Sequence, residues 1–117
     1  MEKEGTVLGL DVSTKTIGIA LFSIDGKLLE LTHITPRPKP KPETKVGELI
    51  KKANIFGEFI EKYKKLKINT IIIEEPLLRS NNVNTVGTLL RYNGMISKIC
   101  YDELGVLPEY ISTYNSR

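Results

Sequence analysis

The sequence predicts an α/β fold, a mixed sheet in the order βββαβαβ with helices packed on it. Three observations lead there. Asp25-Gly26 lies between two apolar runs and supplies the positive φ of a tight hairpin turn. Ile71-Ile72-Ile73 is a continuous β-branched run of the kind buried on both faces of a parallel sheet. Two segments with apolar residues at steps of three and four, 44–66 and 83–104, flank that run. Alternation of strand and helix implies parallel pairing beside the first hairpin.

Taken in order, residues 6–12, 17–24 and 27–35 read as three strands. The stretch 35–42 carries alternate prolines, which remove backbone donors and favour extended geometry, so it is a surface connection. Helix 44–66 presents Val46, Leu49, Ile50, Ala53, Phe56, Ile60 and Tyr63 on one face and lysines on much of the other. A strand at 68–75 ends at Pro76, and 77–82 is a polar loop. Helix 83–104 draws its pattern from Val83, Val86, Leu90, Ile96, Ile99 and Cys100. Gly87 and Gly94 share a face, and glycine there costs about 1 kcal/mol against alanine, so a closely approaching neighbour is expected. Gly105 is the expected C-terminal cap, and a last strand is expected at about 107–113.

Composition narrows the function classes. A chain of 117 residues, 40% hydrophobic, is expected to form one domain. No apolar stretch approaches the ~18 residues of a membrane span. The charged start, Met1-Glu2-Lys3-Glu4, leads into a strand and is not a signal peptide. The single cysteine, Cys100, falls on an apolar helical stripe, which fits a reduced, intracellular setting. Net charge is +3, but residues 37–67 hold ten Lys or Arg against four Glu, leaving the rest acidic on balance. That stripe is either a phosphate-contacting surface or a solvated helix face.

Two acids carry the candidate chemistry. Asp11 separates the apolar runs Val7-Leu8-Gly9-Leu10 and Ile17-Gly18-Ile19-Ala20, and a carboxylate between buried strands is expected to be paired, hydrogen-bonded or metal-bound. Glu74 ends the run Ile71-Ile72-Ile73. If the fourth strand pairs with the first, the two acids lie side by side at strand ends, where open α/β sheets place their sites. Two carboxylates there suit Mg²⁺, which takes one or two acids and keeps several waters. The alternatives are concrete. Asp11 caps its turn through Thr14 or Thr16, and Glu74-Glu75 is a solvated strand end.

Leu8-Gly9-Leu10-Asp11-Val12-Ser13-Thr14-Lys15-Thr16-Ile17-Gly18-Ile19-Ala20 resembles the first motif of the RuvC branch of the ribonuclease H-like superfamily: an apolar strand, an Asp, a small-residue turn and a second strand. Ile72-Ile73-Glu74 resembles its second motif, the helix with Gly87 and Gly94 its following helix, and Pro108-Glu109-Tyr110-Ile111 its next strand. The resemblance runs from about residue 5 to 117. It implies a ribonuclease H-like sheet and a Holliday junction resolvase-like endonuclease, phage-encoded or bacterial, acting on branched or structured DNA, with a homodimer expected. It further implies Mg²⁺ (or Mn²⁺) held by catalytic carboxylates, Asp11 bridging the metals and Glu74 ligating one. Glu75 is left to the opposite face by strand alternation.

The family completes its site with further acids, or a His and an Asp, on a helix after the last strand. This chain stops at Ser112-Thr113-Tyr114-Asn115-Ser116-Arg117, where that part begins. The resemblance therefore implies a domain lacking the C-terminal part of the family fold, either a fragment or a protein that has lost part of its site, with weak or absent activity. His33 reads as an ordinary strand residue, and Asp102 and Glu103 as solvated. Lys15, Arg79 and Asn81 are the candidate nucleic-acid contacts, with Asn82 a helix cap. Two further readings stand beside this one: a non-catalytic nucleic-acid-binding or assembly module of the same fold, and an actin-like ATP-binding domain. A related nuclease that processes ribosomal RNA also fits the motifs.

Overall fold

A computed structural model describes residues 5–74 and 83–111 and, at 83–85, the backbone alone. The elements are β1 (Thr6–Val12), β2 (Ile17–Ser23), β3 (Leu28–Ile34), α1 (Lys45–Ile60), a 3₁₀ extension (Glu61–Lys65), β4 (Ile68–Glu74), α2 (Val83–Leu104) and β5 (Glu109–Ile111). They form one five-stranded sheet in the order β3-β2-β1-β4-β5. β1–β2 and β2–β3 are antiparallel, and β1–β4 and β4–β5 parallel. This is the expected α/β architecture.

The turn chemistry behaves as read. Gly26 takes φ 93° in the β2–β3 hairpin, and Gly105 takes φ 74° after α2. Gly105 N–H donates to the Tyr101 carbonyl at 2.8 Å, satisfying one of the carbonyls that a helix end leaves open. Thr44 caps α1, its hydroxyl accepting from Gly47 N–H at 3.0 Å.

β3, β1, β4 and β5 all run the same way. The two crossovers, through α1 and then α2, both step toward β5, and right-handed connections in one direction lay both helices on one face. Strand alternation then sorts the side chains. Leu8, Leu10 and Val12 of β1, Ile17, Ile19 and Leu21 of β2, and Ile71 and Ile73 of β4 turn toward the helices. Leu49, Ala53, Phe56 and Ile60 of α1, Tyr63 just beyond it, and Tyr92, Ile96 and Cys100 of α2 meet them. Each fully buried aliphatic side chain contributes ~1.5–3 kcal/mol.

Several expectations need correction. Val46 and Ile50 are half-exposed, as is Leu90, because the α1 stripe that meets the sheet is narrower than its apolar pattern. Ile72 is only half-buried and faces the side away from the helices, so the isoleucine run is not covered on both faces. Among the described residues the expected close approach at Gly87 and Gly94 does not occur: a Cβ at Gly94 meets nothing there within 4 Å, and one at Gly87 meets the Arg91 side chain. The close contact lies at Gly57 of α1, where a Cβ would stand 3.0 Å from Ile99 Cγ2 of α2. The α-helical part of 44–66 ends at Ile60. The chain continues as a 3₁₀ turn that places Tyr63 to donate its hydroxyl to Glu30 of β3 at 3.1 Å. Among the described residues no helix is long and apolar enough to cross a membrane.

Candidate metal and nucleic-acid site

The far face of the sheet carries the two acids. Leu10 pairs with Ile73 across the parallel β1–β4 ladder, so Asp11 and Glu74, one residue further on, share the next level. Neighbouring strands lie ~4.8 Å apart, so the two acidic residues stand side by side on one face of the sheet. Asp11 is exposed and Glu74 half-buried. The sequence led us to expect Asp11 in an apolar interior. The pleat turns Leu10 and Val12 inward and Asp11 outward, so no buried charge has to be compensated.

The turn after Asp11 does not use its carboxylate. Ser13 N–H donates to the Thr16 carbonyl at 3.0 Å and Ser13 Oγ to the same oxygen at 2.8 Å. Thr16 N–H donates back to Ser13 Oγ at 3.1 Å. Ser13, not Asp11, caps this turn, and among the described residues no hydrogen bond occupies the Asp11 carboxylate. Lys52 of α1 braces the turn from beneath, its Nζ donating to the Thr14 carbonyl at 2.7 Å and lying 3.4 Å from Glu48. Nothing in the sequence flagged Lys52, which reads there as one lysine of a solvated helix face.

The surroundings of Asp11 are kept low by small residues. Asp11 pairs with Gly18 on β2, where a Cβ would stand 3.6 Å from Asp11 Cβ. Gly9 pairs with Ala20 on one side and Ile72 on the other. With Leu31 and Ile111 these residues line a shallow depression of about 350 Å³ that has Asp11 and Glu74 at its polar end. A larger depression of about 610 Å³, lined by Thr6, Ser23, Lys27 and Lys67, lies at the opposite end of the strands and is remote from the acids. β5 is fastened beside Glu74 by a polar seam. Tyr110 hydroxyl donates to the Asn93 carbonyl at 3.1 Å and lies 2.7 Å from Ser97 Oγ.

The other candidate residues divide. Lys15 stands exposed on the same turn as Asp11. Arg79, Asn81, Asn82 and Glu75 lie outside the described residues, as does the side chain of Asn84. Asp102 is engaged by Lys98 at 2.7 Å and Glu103 by Lys64 at 3.2 Å, so neither turns toward the pair. Cys100 is buried in the core, where desolvation pushes its thiol up to about 12. It takes no part in the site. The donor set suits a hard cation, two carboxylates on adjacent strands with open space for waters. Among the described residues no group of three or more His, Cys, Asp or Glu gathers around one point.

Comparison with solved structures places the fold. Thermus thermophilus RuvC in complex with a Holliday junction substrate matches at TM-score 0.70 and 12% identity, over 95% of this chain and 66% of that one. A second T. thermophilus RuvC structure matches at 0.59 and 18% identity, over 92% and 63%. A ROK family transcriptional regulator, a homologue of the E. coli MLC protein, matches at 0.55 and 17% identity, over 92% of this chain but 27% of the other. No family model matches the sequence, and no curated protein matches it. The fold is ribonuclease H-like, and the chain spans slightly less than two thirds of the RuvC chains it resembles.

Proposed function

We propose that this chain is the metal-binding and DNA-binding part of a structure-selective endodeoxyribonuclease of Holliday junction resolvase type. The observation that carries the reading is the juxtaposition of Asp11 and Glu74 at one level on neighbouring parallel strands, facing open space. The RuvC structures of the same fold, one of them bound to a Holliday junction, support it. Fold alone does not, because the ROK family regulator shares it.

In this reading Asp11 and Glu74 are the catalytic carboxylates and supply oxygen ligands to Mg²⁺ or Mn²⁺. When bound, the ion supplies Lewis-acid activation of phosphate and water. Gly9 and Gly18 place no side chain beside Asp11, which leaves room there for a sugar-phosphate backbone. Ser13 and Lys52 hold the turn that presents Asp11 and Lys15, and Lys15, Arg79 and Asn81 are assigned to DNA. Two-metal hydrolysis needs both ions clamped, and two carboxylates leave the second ion under-liganded. These 117 residues are therefore assigned weak or absent cleavage, and pairing into a two-fold dimer is assigned to the junction-bound state.

The test is incubation of a labelled four-way DNA junction with the chain and Mg²⁺ or Mn²⁺. The reading predicts preference for the junction over linear duplex, with at most slow cleavage that disappears in Asp11→Asn. No preference for the junction, or cleavage undiminished by Asp11→Asn, overturns it. Junction binding by a chain with no affinity for Mg²⁺ or Mn²⁺ assigns it to the non-catalytic module instead.

A further inference from the structure

The segment joining β3 to α1 carries three cations between its prolines. Its cations all face solvent. Pro36 is buried, Pro38 and Pro42 are half-buried and Pro40 is exposed, and Arg37, Lys39 and Lys41 are all exposed. The prolines restrict the backbone and need no hydrogen-bond partner for a missing N–H, so the segment holds its path without a neighbouring strand. Arg37, Lys39 and Lys41 make no ion pair among the described residues, although Lys45, Lys52, Lys62, Lys64 and Lys98 all do.

Its place in the fold matters as much as its charge. β3 runs parallel to β1, so the segment leaves the sheet at the end where Asp11 and Glu74 stand. Its first residue is fastened to the turn after Asp11, with the Thr16 and Thr35 hydroxyls 3.3 Å apart. Further on, Pro38 and Lys39 border a depression of about 320 Å³ whose other wall is Ile50, Lys51 and Asn54 of α1. His33, the last outward residue of β3, pairs with Gly18, which pairs with Asp11. Two strand spacings, ~10 Å, therefore separate His33 from Asp11, with no side chain on Gly18 between them.

We propose that residues 33–41 form a phosphate track. Arg37, Lys39 and Lys41 bind phosphates along one DNA arm, and the strand is led past His33 and across Gly18 to the carboxylates. Cations on a restrained backbone lose less freedom on binding than cations on a flexible loop. Contacts of this kind position DNA and carry no sequence information. The destination of the strand rests on the nuclease reading, whereas the track itself is a binding surface that needs neither metal nor cleavage.

The test uses the full chain in EDTA and a labelled four-way DNA junction, with binding followed by fluorescence anisotropy over a range of salt. One variant carries Arg37→Gln, Lys39→Gln and Lys41→Gln. A charge-matched variant carries Lys27→Gln, Lys65→Gln and Lys67→Gln at the opposite end of the sheet. Each phosphate contact contributes about 0.9 to the log–log salt slope, so the track variant is expected to lose ~2–3 from the slope and to bind more weakly at low salt. The matched variant is expected to keep the slope of the natural chain. Arg37→Gln alone, which removes one exposed side chain, is expected to lose ~0.9. Equal losses in the two triple variants, no loss in the track variant, or no DNA binding by the natural chain overturns the proposal. Binding of an RNA duplex in preference to DNA overturns the assignment to DNA. Because EDTA removes the metal, a failed nuclease reading leaves these slopes unchanged and shows only in metal-dependent cleavage.

Discussion

Lys52 Nζ lies 2.7 Å from the carbonyl oxygen of Thr14, a bond that ties α1 to the turn presenting Asp11 and Lys15. The lysine side chain is only 14% exposed, so the hydrogen bond is largely shielded from water. Sequence separation makes it a long-range clamp: donor and acceptor stand 38 positions apart in the chain. Hydrogen bonds to charged groups are worth ~1.5–3 kcal/mol.

Lys52→Met keeps the aliphatic stem and removes the donor. It is expected to cost about 1–2 kcal/mol in urea unfolding and to speed amide exchange in the Ser13–Thr16 turn. Unchanged exchange in that turn would show that Ser13 holds it alone.

Gly57 and Gly94 separate two uses of glycine in a helix. Gly57→Ala places a methyl 3.0 Å from Ile99 Cγ2, and overpacking of this kind costs ~1–3 kcal/mol. Gly94→Ala meets nothing within 4 Å among the described residues and gains up to ~1 kcal/mol of helix propensity. Thermal melts should therefore move in opposite directions, down for Gly57→Ala and up for Gly94→Ala. Equal upward shifts would show that Ile99 yields without cost.

Alkaline pH should weaken the fold. Burial pushes the Cys100 thiol from its ordinary 9.0 up to about 12, and the Tyr92 hydroxyl from 10.0 up to about 12. Both groups stay protonated in the native state while the unfolded chain releases its protons earlier. Their contribution is thus complete below pH about 9 and is lost as pH climbs toward about 12. Each titrating group adds at most ~1.4 kcal/mol per pH unit to the fall. Urea midpoints measured across that range should decline, and Cys100→Ala should decline less steeply at the start. A flat profile would contradict the burial of both groups.

Much of this structure is legible in the sequence where a residue has one physical solution. Asp25-Gly26 and Gly105 need positive φ, and both glycines adopt it. α2 spans the residues its periodicity marks, Val83–Leu104. The adjacency of Asp11 and Glu74 follows from pairing β4 with β1, which the alternation of strand and helix implies. The rest depends on what each element meets. Periodicity gives the direction of an apolar stripe but not its width, so Val46 and Ile50 looked buried and are not. It also cannot say which glycine of a helix pair marks the crossing, and the contact falls at Gly57. Asp11 looked buried because its neighbours are apolar, while the pleat that exposes it acts one residue at a time. Lys52 was hidden because a lysine on a helix face gives no sign of the carbonyl waiting beyond it. The alternate cations of 37–41 were legible as charge, but their common exposure and their place at the acid end required the sheet order.

The central claim is that Asp11 and Glu74 together hold a divalent cation. Mn²⁺ binding followed by electron paramagnetic resonance tests it directly, in the natural chain and in Asp11→Asn, Glu74→Gln and Asp102→Asn. Asp102 serves as the control because it is engaged by Lys98 away from the pair. The natural chain and Asp102→Asn are expected to bind Mn²⁺ alike, with each site variant weaker by at least about tenfold, ~1.4 kcal/mol. Equal affinity in all four proteins, or no binding in any of them, would contradict the account.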